Sequence, residues 1–199
     1  MKLGQINRGS LLGEKIYNLS AQKDIRTIVE IGTWNGMGST CCIRDGVAGT
    51  TKDVYSLECN KVRCEEAKVN LGFLPPNIKI IHGTIVDAKE LEPLMEGLSE
   101  GLQVWLREDL GWIRNTPNVL KDLPTKIDLC IIDGGEFSGS IEFFKLWEQS
   151  KIIILDDTNA LKHEKTKKFI LDNSDIFEII DDNTIERNGF LICKNKNYV

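Results

Sequence analysis

The chain has 199 residues, 41% hydrophobic and 28% charged, with a formal net charge of −5. This is the composition of one soluble globular domain able to bury a sizeable core, and its acidic balance disfavours a nucleic-acid partner. No apolar run approaches the roughly 18 residues of a membrane span, and the opening MKLGQINRGS lacks the apolar centre of a signal peptide.

Residues 11–22 read as a helix with Leu12, Ile16 and Leu19 on one stripe, within an N-terminal helical extension spanning 1–24. IRTIVEI (25–31) is short and β-branched, as a buried strand is, and 39–47 follows as a helix. DVYSLE (53–58) is a second strand, and 61–71 is a helix closed by Gly72 and the Pro75-Pro76 pair. NIKIIH (77–82) is a third strand and 88–98 a helix. Residues 96–124, with Trp105, Trp112 and Pro117, exceed an ordinary connection. They read either as a lid or substrate wall or as an extra structural helix. KIDLCIID (126–133) is a fourth strand, followed by a helix over 138–149 with Ile141, Phe144 and Trp147 at helical spacing. KIIILD (151–156) is a fifth strand, and 162–171 a helix. The tail breaks the alternation: 176–181 and 189–195 are strands joined by a polar turn, a hairpin. The pattern predicts a single α/β domain over 1–199, a doubly wound, mostly parallel seven-stranded sheet to which the C-terminal hairpin adds one antiparallel strand.

Cys41, Cys42, Cys59, Cys64, Cys130 and Cys193 form no CxxC pair, and with two histidines in the chain no zinc spacing appears. They read as free thiols, mostly buried, which implies a reducing, cytoplasmic compartment. The one basic cluster, KHEKTKK (162–168), reads as a solvated helix face.

The first strand runs into VEIGTWNGMGST (29–40). In an open parallel sheet, ligands bind beyond the carboxyl ends of the strands. Gly32, Gly36 and Gly38 allow a backbone to approach a ligand closely. Trp34 stands where a dinucleotide fingerprint needs its second glycine, so a pyrophosphate fits poorly and an NAD-dependent oxidoreductase is disfavoured. Glu30 beside the turn, with no nearby lysine, favours a cationic ligand. Glu58 ends the second strand 26 positions after Gly32. An acid there can accept from both ribose hydroxyls, or it is an ordinary strand-end acid. Turn and acid together point to a nucleoside without phosphates that carries a positive centre, the character of S-adenosylmethionine.

At these residues the sequence resembles the class I S-adenosylmethionine-dependent methyltransferases. VEIGTWNGMGST resembles their first motif and LECN (57–60) the acidic motif after strand two; the resemblance runs from about residue 25 to 193. It implies that Glu30, Gly32, Thr33, Trp34 and Ser39 surround the methionine part of the cofactor, with Gly36 in the same turn. It further implies that Glu58 holds the ribose and that Gly83, Thr84 and Ile85 flank the adenine. The large residue at Trp34 resembles the antibiotic and sugar O-methyltransferases and implies a bulky wall at the methionine end.

Asp133 ends strand four, and Asp156 and Asp157 end strand five. If those strands are neighbours, about 4.8 Å apart, three carboxylates meet at one mouth. A hard divalent cation such as Mg2+ would relieve their repulsion. The alternative is ordinary turn and cap chemistry, with Asp157-Thr158 capping the next helix. Metal-dependent O-methyltransferases of catechol and macrolide-sugar type carry acids at the corresponding positions, and ERNGF (186–190) also recurs among such relatives. The resemblance therefore implies O-methylation of a hydroxyl on a small molecule or saccharide, with S-adenosylmethionine and a divalent metal as cofactors and Asp133, Asp156 and Asp157 as ligands. The metal would lower the hydroxyl's pKa. Those relatives place Lys or His three positions after the strand-four Asp, and here Glu136 stands there. Glu136 reads as the base, as a further ligand or as a helix N-terminal residue without chemistry. His163 is the other candidate base, or a surface helix residue. Asp133, Glu136 and His163 are thus the catalytic candidates. Glu136 also keeps open a catalytically weak, cofactor-binding accessory protein. The expected partner is a small-molecule or saccharide substrate, with no nucleic acid and no membrane, and a homo-oligomer is compatible with the composition.

Overall fold

A computed structural model describes residues 3–199. In chain order its first half comprises α1 (Leu11–Ala21), β1 (Thr27–Ile31), α2 (Ser39–Gly46), β2 (Asp53–Glu58), α3 (Lys61–Leu71), β3 (Ile78–His82) and α4 (Ala88–Leu91). Its second half comprises α5 (Glu100–Ile113), β4 (Ile127–Ile132), α6 (Gly139–Leu146), β5 (Ser150–Asp156), α7 (Glu164–Asp172), β6 (Phe177–Asn183) and β7 (Phe190–Asn195). The strands form one seven-stranded sheet in the order β3-β2-β1-β4-β5-β7-β6. Strands β1 to β5 pair in parallel, whereas β7 runs antiparallel to both β5 and β6. The expected doubly wound sheet with its C-terminal antiparallel hairpin is therefore present.

The topology decides where a ligand can go. The chain moves outward from β1 through β2 to β3, then returns to lay β4 against the other side of β1. The connections after β1 and β4 leave in opposite directions, which opens a crevice at their carboxyl ends. Both faces of the sheet are covered, so the central strands are buried on both sides and mostly apolar rather than alternating; Ile127, Leu129, Cys130, Ile131 and Ile132 of β4 are all buried. One face packs on Leu12 and Ile16 of α1 and Cys42 and Ile43 of α2. The other packs on Leu106 and Leu110 of α5, Phe143 and Leu146 of α6 and Ile170 of α7.

Two local readings change, and the 96–124 segment takes one of its two expected forms. The helix expected over 88–98 stops at Leu91 and tightens into a 3-10 turn over Glu92–Met95, because Pro93 cannot donate a helical N–H. Residues 96–124 contain α5, whose Leu106, Leu110 and Ile113 are buried, so much of this segment is a structural layer of the core. On α6 the inward stripe is Phe143 and Leu146, while Phe144 is 48% exposed; the phase lies one residue from the Ile141, Phe144, Trp147 pattern. All six cysteines are free, with Cys42, Cys64, Cys130 and Cys193 buried. Among the described residues no helix is long and apolar enough to cross a membrane.

Candidate cofactor and active site

A cavity of about 540 Å³ opens at the crevice. Its floor is the glycine-rich turn, clamped to both neighbouring strands. The N–H groups of Gly32 and Thr33 donate to Leu57 O at 2.9 and 3.1 Å, and Asp133 N–H donates to Ile31 O at 2.9 Å. Gly32 has φ 100, and a Cβ there would stand 2.1 Å from the Asp133 carbonyl oxygen. Only glycine permits both this backbone and this approach of β1 to β4. The N-terminal segment closes one side: Gly4 N–H donates to Met37 O at 2.8 Å, and residues 3–6 line the cavity.

Glu58 at the end of β2 faces the same space. One oxygen accepts from Trp34 N–H at 2.7 Å and the other from Asn60 N–H at 2.8 Å. Burial pushes its carboxyl up, while those two N–H groups pull it back toward the ionised form. Trp34, turned to φ 50, therefore belongs to the Glu58 side of the cavity, and the Arg63 guanidinium lies 5.5 Å from its ring centroid. Glu30 sits behind the turn rather than in the cavity. It is fully buried and accepts from Thr40 Oγ1 at 2.7 Å and from Ser56 Oγ. Burial pushes its carboxyl up to about 7, against the pull of the Ser39, Ser56 and Thr40 hydroxyls.

At the ends of β4 and β5, carboxylate oxygens of Asp133, Asp156 and Asp157 lie within 4.8 Å of one another, as the register predicts. They are not alone. Lys162 Nζ lies 2.7 Å from Asp133 Oδ1 and 3.6 Å from Asp157 Oδ2. Arg187 Nη1 lies 3.0 Å from Asp156 Oδ2, and its Nη2 lies 3.4 Å from Asp157 Oδ1. This corrects two readings. Lys162 is no solvated helix residue but is 4% exposed, and a lysine does stand in the cavity. It precedes α7, which begins only at Glu164. Burial alone would lower its ammonium's pKa, but Asp133, Asp157 and Asp156 hold it above the ordinary value. Burial and the neighbouring Asp133 and Asp157 push Asp156 up. The three carboxylates that would hold a divalent metal are thus each ion-paired with a cation of the chain, Lys162 or Arg187.

Glu136 lines the cavity beside this cluster, and its Oε1 accepts from Lys162 N–H at 3.3 Å. His163 is fully buried rather than on the surface. Burial, then the Lys162 charge, pushes it down to about 3, and it does not line the cavity. Its ring lies against Gly139, where a Cβ would stand 2.8 Å from His163 Cε1. A neutral histidine so enclosed cannot reach an acceptor. Two acids absent from the sequence reading complete the wall. Asp109 of α5 and Glu142 of α6 line the cavity, and Asp109 Oδ2 and Glu142 Oε2 are buried without a hydrogen-bond partner among the described residues. Burial pushes Asp109 up to about 6 and Glu142 up to about 7.

Of the residues expected at the site, Gly32, Thr33, Trp34, Ser39, Glu58, Thr84, Asp133, Glu136 and Asp157 line one cavity. Glu30, Gly36, Ile85, Asp156 and His163 stand behind it; Ile85 is buried in the core, so Gly83 and Thr84 present the end of β3. No family model and no curated protein matches the chain. Solved structures do. A methyltransferase from Podospora anserina bound to S-adenosylhomocysteine is 16% identical, with a TM-score of 0.62 over 96% of this chain and 80% of that one. An O-methyltransferase from Bacillus cereus, also bound to S-adenosylhomocysteine, is 16% identical, with a TM-score of 0.59 over 92% of this chain and 80% of that one. A ribosomal protein L11 methylase from Lactobacillus delbrueckii is 14% identical, with a TM-score of 0.56 over 94% and 81%. At such identities the likeness is one of architecture: the chain has the fold of these methyltransferases.

Proposed function

We propose that the chain transfers a methyl group from S-adenosylmethionine to a hydroxyl oxygen of a small molecule, such as a saccharide. One observation carries this reading: the positive-φ turn at Gly32 and the carboxylate of Glu58 open onto a single cavity of about 540 Å³. That volume lies within the roughly 300–1,000 Å³ of small-molecule sites. Each Glu58 oxygen accepts one backbone N–H; the Cys59 thiol also donates to Oε1 at 3.8 Å, and Oε2 keeps a second lone pair for a ribose hydroxyl. Gly83 and Thr84 offer an edge for the adenine, and the open oxygen of Asp109 can receive its exocyclic amine. Thr33 and Ser39 serve the methionine end. When bound, this cofactor supplies a methyl group on a cationic sulfur.

The chain's own residues then bind the acceptor and remove its proton. Glu136, which lines the cavity and accepts from Lys162 N–H, is the carboxylate we assign to take the hydroxyl proton. The wall carries six acids (Glu58, Asp109, Asp133, Glu136, Glu142 and Asp157) against Lys162 and Arg187. That balance supports a neutral or cationic acceptor over an anionic one. Calorimetry with S-adenosylhomocysteine and with NAD tests the cofactor; no heat with the first refutes the proposal. Formation of S-adenosylhomocysteine from S-adenosylmethionine with a panel of diols and sugars tests the enzyme. Cofactor binding without turnover on any acceptor would favour an accessory protein.

A further inference from the structure

We propose that the acidic cluster at the ends of β4 and β5 works without a metal: Lys162 and Arg187 supply its positive charge, and Lys162 presents its ammonium to the acceptor oxygen. The second half of this statement rests on the methyltransferase reading; the first stands on the cluster alone.

Lys162 is built into its place. Its N–H donates to Glu136 Oε1 at 3.3 Å, and its carbonyl accepts from Ser140 Oγ at 3.0 Å. The turn before it is tied to the β6–β7 hairpin through Asn159 N–H to Asn188 O at 2.7 Å and Thr158 N–H to Gly189 O at 3.1 Å. Lys162 Nζ donates to Asp133 at 2.7 Å. An ammonium has three N–H donors, and Nζ belongs to a side chain that lines the cavity, so a donor is available to an acceptor oxygen. Arg187 is fixed as firmly. Its backbone adopts φ 53, and its guanidinium joins Asp156, Asp157 and the side-chain oxygen of Gln5.

A divalent ion holds carboxylate oxygens at about 2.0–2.6 Å and would have to share Asp133 and Asp157 with an ammonium 2.7 and 3.6 Å away. Displacing Lys162 would strand a buried charge, and exposing it would require the tied turn to open. The fold has therefore committed these carboxylates to its own cations.

The test is direct. Protein treated with EDTA is titrated with Mg2+ and with Mn2+ by calorimetry and melted in millimolar amounts of each. Wild type is expected to bind neither and to melt unchanged. Lys162→Met leaves Asp133 without its cation; it should gain binding of Mn2+ and rise in Tm by several degrees on adding it. Lys162→Arg keeps the charge and should stay unresponsive. Stoichiometric Mg2+ or Mn2+ binding by wild type overturns the proposal whether or not Lys162→Met folds, and so does a folded Lys162→Met that gains none. In turnover, EDTA should leave the rate unchanged and Lys162→Met should raise the KM for the acceptor; a KM unaltered in Lys162→Met overturns the acceptor contact. Binding of S-adenosylhomocysteine, measured in parallel, separates the two readings. Its absence would remove the methyltransferase function, while the metal titrations still decide the cluster.

Discussion

Glu30 makes the ligand-free protein less stable as pH rises, by an amount the structure sets. Its carboxyl is enclosed by Ser39, Thr40 and Ser56, and burial raises it from an ordinary 4.5 to about 7. A tenfold change in proton affinity is about 1.4 kcal/mol, so the span corresponds to about 3 kcal/mol. Below pH 4.5 Glu30 is protonated in both the folded and the unfolded chain, and contributes no pH dependence. Between 4.5 and about 7 the unfolded chain has lost the proton and the fold still holds it, so stability falls as pH rises. Above about 7 both states are ionised and the full loss remains. Glu30→Gln cannot ionise. Its fixed packing cost is the same at every pH, and the titrations of Glu142, Asp109 and Asp156 occur in both proteins. The difference in unfolding free energy, variant minus wild type, should therefore climb by about 3 kcal/mol between about pH 4.5 and pH 8. Urea unfolding at several pH values measures it, with equal m-values confirming a common unfolded state. A difference that stays flat across that range refutes the argument and makes Glu30 an ionised, hydroxyl-solvated acid.

Three further outcomes follow from the site. Gly32→Ala puts a Cβ 2.1 Å from the Asp133 carbonyl oxygen at φ 100; it should lose about 2–4 kcal/mol and a large part of its S-adenosylhomocysteine affinity, and an unchanged thermal melt would contradict the packing of β1 on β4. Glu58→Gln keeps an acceptor for one backbone N–H but loses the charge, so S-adenosylhomocysteine should bind about ten- to a hundredfold more weakly by calorimetry, and equal affinity would remove Glu58 from the ribose. Glu136→Gln should lower kcat by about 10²–10⁴-fold while leaving S-adenosylhomocysteine affinity alone; an unaltered kcat would pass the proton to another carboxylate.

The strands were legible because a strand buried on both faces is rich in apolar and β-branched residues, as in the four-residue runs LCII (129–132) and IIIL (152–155) that stand before acidic turns. Residues at strand ends inherited that legibility. Once β1, β2, β4 and β5 are read, Gly32, Glu58, Asp133 and Asp157 fall at one edge by topology alone, and all four line the cavity. Helix phase was less secure. On α6, Phe144 is exposed yet meets Phe143 and Phe169 edge-on at 5.2 and 5.1 Å, so aromatic content on both sides of the helix blurred which stripe faces inward. Lys162 was illegible for a different reason. A lysine before a lysine-rich helix reads as solvated, and its position is set by Glu136, Ser140 and the hairpin turn, contacts that connect distant parts of the chain.

Asp109 and Glu142 did carry a signal. Asp109 falls on the stripe of Leu106, Leu110 and Ile113, and Glu142 on that of Gly139, Phe143 and Leu146; those apolar neighbours are buried. An amphipathic helix places acids on its outer face, so an acid on the inner stripe incurs a desolvation cost that a core cannot return. The cost is visible in carboxyls raised to about 6 and about 7 and in one oxygen on each that has no hydrogen-bond partner among the described residues. Such acids are tolerable where the inner face meets a polar space, and both open onto the same cavity as Glu58. Two helices on one side of the sheet thus each set one acid among buried apolar residues, and the hydrogen-bond donors their oxygens lack can come from a molecule bound between them.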